Sequence, residues 1–430
     1  MAKAVEVGEF MGKKVLVVGG GGREHALAWK LAQSPELERL YVAPGNAGTN
    51  EWNVPISQND ITGLVKFAQD NKIDLTVVGP EEPLSLGIAD ALREAGLRVF
   101  GPTQAAAQLE GSKAFAKTVM QAANIPTAEW DVFTDPTLAK DYVRKIGAPC
   151  VIKADGLAAG KGVIVAMDLD TALQAVDEMM DGAFGDAGKK IVVEEYLEGQ
   201  EVSLLCFADG TSALPMVPVQ DHKRALDGDQ GLNTGGMGTY SPPPVWTPEI
   251  EERVKREILY PSLDEMRRRG IPFTGVLFLG LMLTERGPKV LEYNVRFGDP
   301  ETQVVMMRMQ SDLLPVLWAC TEGKLGDVKL EWAKDVAVCV VMAAPGYPQS
   351  YEKGIPLVIP AEVEKDGAVF HAGTALKDNR IVSSGGRVLG VTASGSNLVE
   401  ARAKAYSIVG KIDFPKAHYR KDIGVKGLSK

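Results

Sequence analysis

LEYNVRFGDPETQ, residues Leu291 to Gln303, is the stretch on which the assignment of fold and chemistry depends. Leucine, tyrosine and valine before the glycine predict a strand, on which alternate side chains share a face. Glu292 and Asn294 then offer a carboxylate and an amide oxygen on one side, ligands that Mg²⁺ takes together with phosphate oxygens and water. Arg296 continues that face, where its guanidinium can reach a phosphoryl group or a carboxylate. The alternative is a buried strand ending in a Gly-Asp-Pro turn, but three polar groups on one strand face are unusual in a core.

Length and composition are those of a soluble enzyme with several domains. The 430 residues are enough for roughly two to four domains with a sizeable core. A net charge of −9 at pH 7 gives no support for nucleic acid or an anionic membrane as a partner. The longest apolar stretch, residues 336–344, is far shorter than the ~20 residues that a membrane helix needs. We therefore expect small-molecule partners only, with no nucleic acid and no membrane.

The cysteines and histidines do not form a metal-binding or disulfide pattern. The four cysteines lie far apart, without CxxC spacing, which predicts reduced buried thiols in a cytoplasmic protein. The four histidines are equally dispersed, which argues against a zinc enzyme. Residues 1–11 have no signal-peptide pattern and precede the first expected strand, so we expect a dispensable leader without stable structure.

Three regions follow the leader. Residues 12–112 alternate strand and helix patterns, which predicts an N-terminal parallel α/β sheet domain on the substrate side. Residues 113–335 mix helices with longer strands and contain a compact lid subdomain at about 127–196. Residues 336–430 carry short strands, glycine turns and a helix expected over Asn397 to Gly410, which predicts a small C-terminal α+β domain. The fold class is therefore α/β and α+β, multidomain.

A glycine cluster, Gly19 to Gly22, follows the first strand. It does not match the dinucleotide fingerprint GxGxxG, because Glu24 takes the third glycine position and no acidic residue ends the second strand. Backbone amides at a helix start can still bind one phosphate, and a tight turn without a ligand is an equally good interpretation. The segment Gly79 to Glu82 ends the third strand, where ligands bind in open sheets, and this favours a substrate site. The candidate substrate residues here are Gly21, Gly22 and Glu82.

A second constellation is VIKADGLAAGKG, residues Val151 to Gly162. Lys153 near a strand end precedes a glycine-rich loop with Lys161, a composition suited to a flap that closes amides and ammonium groups over phosphates. No hydroxyl residue follows Lys161, so the segment is not a P-loop of the GxxxxGK[ST] type. The alternative is a surface loop, which would not explain two lysines around so many small residues.

These motifs together resemble the ATP-grasp ligases and, among them, the phosphoribosylamine–glycine ligase family, also called glycinamide ribonucleotide synthetases. RFGDPETQ is similar to that family's signature. Its other blocks resemble, in the same order, GGGGREHAL, APGNAGT, GPEEPL, KADGLAAGKGV, VVEEYLEGQEVS, QDHKR and NTGGMGTYSPPP. The resemblance covers the chain from Met11 to its end, and the ordered set is far more specific than any single block.

The resemblance implies an ATP-grasp fold and a role for individual residues. Lys113 and Lys153 resemble the two phosphate-binding lysines, and Gly160, Lys161 and Gly162 resemble the flap. Glu194 resembles the acceptor of the adenine amino proton, the Leu197 backbone the partner of the ring, and Glu201 the ribose ligand. Glu292 and Asn294 resemble the metal ligands, while Lys153 and Arg296 would balance charge during phosphoryl transfer. Three further residues, Asp221, Lys223 and Thr234, lie in blocks that resemble the substrate-facing ones. Many relatives carry a further carboxylate on the preceding strand, whereas residues 273–283 contain no acid, so the number of metal ions stays open.

The implied activity is ATP-dependent ligation of glycine to 5-phosphoribosylamine in de novo purine biosynthesis. Glycinamide ribonucleotide, ADP and phosphate would form through glycyl phosphate, with Mg²⁺ or Mn²⁺ as cofactor. Another ATP-grasp carboxylate–amine ligase or carboxylase would share the nucleotide site, but the substrate-side blocks argue against it. A nicotinamide oxidoreductase is the more distant alternative, and the broken glycine fingerprint argues against that class. The sequence leaves the oligomeric state open, with a cytoplasmic monomer as the working expectation.

Overall fold

The N-terminal region forms a parallel sheet with helices on both faces. The computed structural model describes residues 12–156, 162–183 and 185–428, and the leader expected at residues 1–11 lies outside this part. The strands of the sheet are β1 Lys13–Gly19, β2 Leu37–Pro44, β3 Leu75–Val78 and β4 Val99–Phe100. They are parallel in the order β2-β1-β3-β4. The helices are α1 Gly22–Leu31, α2 Ile61–Asp70, α3 Glu81–Ser85, α4 Ile88–Glu94 and α5 Gln104–Gly111. Val15 and Val17 belong to one core and Leu16 and Val18 to another, as expected for a parallel sheet covered on both faces.

The middle of the chain contains an antiparallel sheet that carries the metal-type residues. Its strands are β9 Gln200–Asp209, β10 Ala213–Pro215, β15 Thr274–Thr284 and β16 Gly287–Asn294. Their order is β10-β9-β15-β16, so β16 lies at an edge. The helices of this region are α6 Lys113–Ala122, α9 Pro248–Val254, α10 Tyr260–Arg268, α11 Glu301–Arg308 and α12 Leu313–Glu322.

A second antiparallel sheet forms within the expected lid segment. Its strands are β5 Trp130–Phe133, β6 Cys150–Ala154, β7 Val163–Ala166 and β8 Ile191–Glu195, in the order β5-β8-β6-β7. The helices α7 Pro136–Ile146 and α8 Leu169–Glu178 cover it. Val143, Ile152, Val176 and Ile191 contribute to a hydrophobic core separate from those of the other sheets. The lid sheet is therefore packed as a unit of its own.

The C-terminal sheet is not built from C-terminal residues alone. Its strands are β11 Gln220–Asp221, β14 Gly238–Ser241, β17 Val336–Ala343, β18 Ala368–His371 and β21 Arg387–Gly395, in the order β11-β14-β17-β21-β18. Two small hairpins, β12 Arg224–Leu226 with β13 Gln230–Asn233 and β19 Thr374–Lys377 with β20 Arg380–Ser383, lie beside it. The helix α13 Leu398–Lys411 packs on this sheet and is capped by Asn397, one residue from the expected start. Because β11 and β14 come from the middle of the chain, the boundary expected at residue 335 runs through one sheet.

No helix in the described part of the chain is both long and apolar enough to cross a membrane. The four cysteines are buried as free thiols.

Candidate active site

A single large cleft brings together most of the polar residues that the sequence singles out. It has a volume of about 1230 Å³. The lid contributes Glu194 to its wall, and β16 contributes Glu292 and Asn294. The N-terminal region contributes Glu81 and the C-terminal strand β21 contributes Arg387. All of these regions therefore meet at one site.

The edge strand β16 directs its polar side chains into this cleft. Tyr293 and Val295 are buried on the opposite side, as the alternation predicts. A bulge opposite Gly280 and Leu281 shifts the register, so that Gly280 pairs with Glu292. A side-chain carbon built on Gly280 would lie 3.0 Å from Glu292 Cγ. The position across from the expected metal ligand thus leaves space for its carboxylate.

Glu292 is ionised and has a cation beside it. Lys223 Nζ lies 3.5 Å from Glu292 Oε1 and 3.4 Å from Glu201 Oε2. The charge of Lys223 lowers the pKa of Glu292 to about 2, against the opposing effect of burial. Within the described ranges, no group of three or more acidic, histidine or cysteine side chains forms a metal cage. One carboxylate and one amide oxygen fit Mg²⁺, which usually completes its shell with phosphate oxygens and water.

Arg296 is held by carboxylates from two other parts of the chain. Its Nε donates to Glu81 Oε2 at 3.1 Å, and its Nη2 donates to Glu110 Oε1 at 2.8 Å. Further bonds go to Asn294 Oδ1 and to the carbonyl oxygen of Phe297, so that four of the five N–H donors are engaged. Burial alone would lower the pKa of Arg296, but the charges of Glu110 and Glu81 raise it. The guanidinium is therefore fixed in orientation and fully charged.

The two lysines expected at the phosphates both line the cleft. Lys113 begins α6 and donates to the carbonyl oxygen of Gly156 at 3.0 Å. Burial lowers its pKa, while the charge of Glu292 opposes that effect. Lys153, on β6, donates to Glu194 Oε2 at 3.0 Å and to the carbonyl oxygen of Leu291 at 3.1 Å. Gly162 also lines the cleft, while Gly160 and Lys161 lie outside the described residues.

The residues expected at the nucleoside lie in the same cleft, beside the lid. Glu194 is only 2% exposed, and Leu197 follows it at the cleft wall. Glu201 also lines the cleft and faces Lys223. Apolar side chains complete this part of the wall, called the apolar slot below: Met120, Val151, Val163, Val165 and Leu291.

The three residues predicted to face the substrate, Asp221, Lys223 and Thr234, all line the cleft. The Thr234 hydroxyl, however, forms hydrogen bonds within its own loop. The hydroxyl of Thr234 donates to the carbonyl oxygen of Lys223 and accepts from the Gly236 amide. Burial and the nearby charge of Glu301 raise the pKa of Asp221 well above its usual range. Lys223 lies between the Glu201 and Glu292 carboxylates. Asp221 and Lys223 thus place one acid and one cation at the cleft.

At the start of α1, where the sequence predicts an anion site at Gly21 and Gly22, two backbone amides are bound by carboxylates of the protein. The Gly21 amide donates to Glu24 Oε2 at 2.6 Å, and the Arg23 amide donates to Asp299 Oδ2 at 3.2 Å. Carboxylates therefore bind two of the amide donors at this helix start. Neither glycine contributes to the cleft wall, and only Arg23 of this turn does so. The substrate role of Gly21 and Gly22 stays a prediction, and in this structure carboxylates of the protein itself lie against the turn.

Glu82, which the sequence predicts at the substrate site, does not line the cleft, whereas its neighbour Glu81 does. Glu82 is exposed to solvent, whereas Glu81 lines the cleft and binds Arg296. Both residues lie in the first turn of α3, where successive side chains are about 100° apart and cannot face the same way. The motif GPEEPL contains both acids, so the sequence does not indicate which of them faces inward.

Several residues of the cleft have no counterpart among the sequence expectations. They are Glu81, Glu110, Lys117, Asp299, Glu301 and Arg387. Lys117 could have been found from its helical spacing, because it lies four residues after Lys113 and so shares its face. Asp299 and Glu301 lie within the RFGDPETQ block, where a turn and a helix start explain acidic residues equally well. Arg387 lies on an otherwise ordinary strand, and nothing local distinguishes it.

Three family models together match most of the chain. They are described as the N domain, the ATP-grasp (A) domain and the C domain of phosphoribosylglycinamide synthetase, and they match residues 13–110, 111–302 and 337–426. The phosphoribosylamine–glycine ligase of Agrobacterium fabrum is 52% identical over 419 residues, covering 97% of this chain and 99% of the relative. The enzyme of that name from Vibrio parahaemolyticus is 52% identical over 424 residues, with the same coverage.

Solved structures show the same relationship. The crystal structure of phosphoribosylamine–glycine ligase from Thermotoga maritima is similar with a TM-score of 0.84 and 35% identity, covering 95% of this chain and 100% of that one. The biotin carboxylase domain of a 2-oxoglutarate carboxylase from Hydrogenobacter thermophilus, solved with ADP as its magnesium salt, has a TM-score of 0.71 at 17% identity. That alignment covers 95% of this chain and 92% of the carboxylase domain, and it shows a common fold only.

Proposed function

Because the chain belongs to the phosphoribosylglycinamide synthetase family and has the ATP-grasp fold, we propose that it ligates glycine to 5-phosphoribosylamine. The products are glycinamide ribonucleotide, ADP and phosphate. One observation carries the proposal: a single cleft brings together Glu292 and Asn294, the lysines Lys113 and Lys153, and the fixed cation Arg296. This is the charge pattern that phosphoryl transfer requires.

In the proposed complex, ATP lies between the lid and β16. Lys113 and Lys153 bind its phosphates, and the apolar slot beside Glu194 takes the base. Glu292 and Asn294 would hold Mg²⁺, or Mn²⁺ in its place, and the ion would supply positive charge to the transferring phosphoryl group. Lys223 would then remain near Glu201, its other carboxylate partner in the cleft.

The first proposed step activates the glycine carboxylate. A carboxylate is a poor acyl donor, so its oxygen attacks the γ-phosphorus of ATP, the bond to the bridging oxygen breaks, and ADP departs with the electron pair. Glycyl phosphate results. Arg296 contributes charge more than new hydrogen bonds, since four of its donors are already engaged.

The second proposed step forms the amide. The amine of phosphoribosylamine attacks the carbonyl carbon of glycyl phosphate, the C–O bond to phosphate breaks, and the amine loses a proton. The protein mainly positions the reactants and keeps water away from the acyl phosphate. The lid, whose hydrophobic core is its own, is suited to closing over the cleft for that purpose.

The same proposal covers the setting of the enzyme. We place it in the cytoplasm, acting as a monomer with small-molecule substrates in purine biosynthesis. Four buried thiols support a reducing compartment.

An omission experiment tests the function. ADP release is measured with glycine, metal or phosphoribosylamine left out in turn, and the product is identified by mass. We expect full turnover only with all components, slow ATP hydrolysis without the amine, and weak use of alanine, since a single methyl is discriminated by about 1 to 3 kcal/mol. Rapid hydrolysis without the amine, or a product without ribose phosphate, would refute the proposal and point to another ATP-grasp ligase or a carboxylase.

A further inference from the structure

Asp155 is a buried acid that none of the proposed steps uses and that does not line the cleft. Its side chain is only 5% exposed. Its Oδ1 accepts from the Ala114 amide at 3.0 Å, and Ser112 Oγ donates to the same oxygen at 3.0 Å. Asp155 therefore binds the residues on both sides of Lys113, at the start of α6.

The Lys113 side chain is bound to the same place. Lys113 Nζ donates at 3.0 Å to the carbonyl oxygen of Gly156, the residue that follows Asp155. Gly156 has a φ of +146°, and a side-chain carbon at this position would lie 2.8 Å from Ala187 Cβ, so the backbone here requires glycine. The backbone and the ammonium group of Lys113 are thus both held by one dipeptide, residues 155–156.

This dipeptide belongs to the lid, whereas α6 does not. The Asp155 amide donates to the carbonyl oxygen of Lys190 at 2.9 Å, and Lys190 Nζ lies 2.7 Å from Asp155 Oδ2, next to the start of β8. The strands β6 and β8 contribute to the lid core, but Val119 of α6 packs in a core shared with the N-terminal sheet. Asp155 therefore connects the lid to the helix that carries Lys113.

Helix capping alone does not account for Asp155. Ser112 already caps α6, because its side chain accepts from the Phe115 amide. Asp155 adds a second acceptor at this helix start and comes from a different part of the chain. Burial would raise the pKa of Asp155, but the hydrogen bonds from Lys190 and the Ala114 amide outweigh this effect and lower it, so the carboxylate is ionised.

We propose that Asp155 is a positioning residue that directs the Lys113 ammonium group toward the phosphates of a bound adenine nucleotide. The inference rests on the proposed function for the identity of the cleft as the nucleotide site. An ammonium group has three donors, and the Gly156 carbonyl takes one, so two are left for phosphate oxygens. Holding a long side chain in place before binding removes part of the entropy loss that phosphate binding would cause.

The test compares ADP with adenosine, which has the same base and ribose without the phosphates. Both dissociation constants are measured on the full chain by calorimetry, adenosine by competition with ADP, in the presence of a chelator and without glycine or amine. Lys113→Met should lower the preference for ADP by about tenfold or more, the effect of losing one hydrogen bond to a charged group. Asp155→Ala should lower it by a similar factor.

A conservative variant separates position from charge. Asp155→Asn keeps the oxygen that binds Ser112 and Ala114 but removes the negative charge, and it should keep or exceed the wild-type preference. Loss of a negative charge near the phosphates favours ADP by itself, so a reduced preference in Asp155→Ala is not an effect of charge. Asp135→Ala is the matched control, because Asp135 accepts from two backbone amides at the start of the lid helix α7, and it should leave the preference unchanged.

A double variant separates positioning from general destabilisation. In the Lys113→Met background, adding Asp155→Ala should change the preference no further, because Asp155 acts through Lys113. If Asp155→Ala does not fold, Ser112→Ala removes the hydroxyl bond to Asp155 and should reduce the preference to a smaller extent. An unchanged preference in a folded Asp155→Ala or Ser112→Ala variant, or an equal further loss on top of Lys113→Met, would overturn the inference. Failed ligation by a wild type that prefers ADP would refute the proposed function alone, whereas a wild type without that preference would refute the nucleotide site and this inference with it.

Discussion

Replacing Glu110 by glutamine should stabilise the unliganded protein at pH 8 while impairing its activity. Glu110 Oε1 accepts from Arg296 Nη2, and Oε2 accepts from the Val295 amide at 2.8 Å. The side chain is only 8% exposed. Burial raises its pKa to about 7, even though the charge of Arg296 acts in the opposite direction. The ionised form is therefore disfavoured in the folded state.

The sign of the effect depends on pH. Below pH 4.5 the carboxyl group is protonated in both the folded and the unfolded chain, and no stability is lost. As the pH rises towards 7, the unfolded chain ionises first, so the folded state loses about 3 kcal/mol for a pKa raised from 4.5 to about 7. A glutamine at position 110 does not ionise and so avoids this loss of stability. It has one acceptor oxygen instead of two, and the missing hydrogen bond costs about 1 kcal/mol. The expected net gain is about 2 kcal/mol at pH 8 and close to zero at pH 5.5.

Thermal unfolding of both proteins in the presence of a chelator measures this gain. About 2 kcal/mol corresponds to a rise of roughly 4 to 8 °C in the Tm of a unit of 150 to 250 residues. Glu38→Gln is the control, because that side chain is 50% exposed and should show no difference between the two pH values. Turnover should fall, since Arg296 loses one of two carboxylates that fix it. A Tm difference that is the same at pH 8 and pH 5.5, or a less stable variant at pH 8, would refute the reasoning.

Two further predictions concern the expected metal ligands on β16 and the glycine that faces them from β15. Glu292→Gln and Asn294→Leu should each strongly reduce turnover and leave the Tm nearly unchanged, because both side chains face the cleft. Wild-type activity of either variant at limiting Mg²⁺ would contradict this prediction. Gly280→Ala should raise the Mg²⁺ concentration needed for half-maximal activity, since the added carbon would lie 3.0 Å from Glu292 Cγ. Gly410→Ala, where nothing lies within 4 Å, is the matched control, and equal Mg²⁺ requirements in the two variants would show that Glu292 does not depend on this space.

The strand and helix patterns were sufficient for the fold because they are local properties. Continuous apolar runs such as Val15–Val18 predict buried parallel strands, and the structure has them. The predictions of a parallel N-terminal sheet and of an ATP-grasp fold are confirmed. The sheet that joins β11 and β14 to β17 was not foreseen. Pairing partners about a hundred residues apart leave no local pattern, so the sequence does not indicate this pairing.

For the site, the sequence predicted residue types well and orientation poorly. Alternation along β16 is enough to place Glu292 and Asn294 in one cleft. The choice between Glu81 and Glu82 depends on how α3 is rotated against the rest of the molecule, which long-range packing decides. The hydrogen bond from the Gly21 amide to Glu24 is also not predictable from the sequence, because a sequence does not show whether a backbone amide is free or already bound to a side chain.

The glycine turn and the RFGDPETQ block are better understood as one structural unit. Asp299, in that block, accepts the Arg23 amide at the start of α1, and Arg23 Nη1 donates to the carbonyl oxygen of Phe297. Glu81, beyond the third strand, is bound to Arg296 of the same block. The N-terminal region therefore fixes Arg296, the cation that faces the proposed phosphoryl transfer. A movement of that region would change the position of the Arg296 guanidinium through Glu81. Acidic residues at a helix start are thus used here to join two regions of the chain.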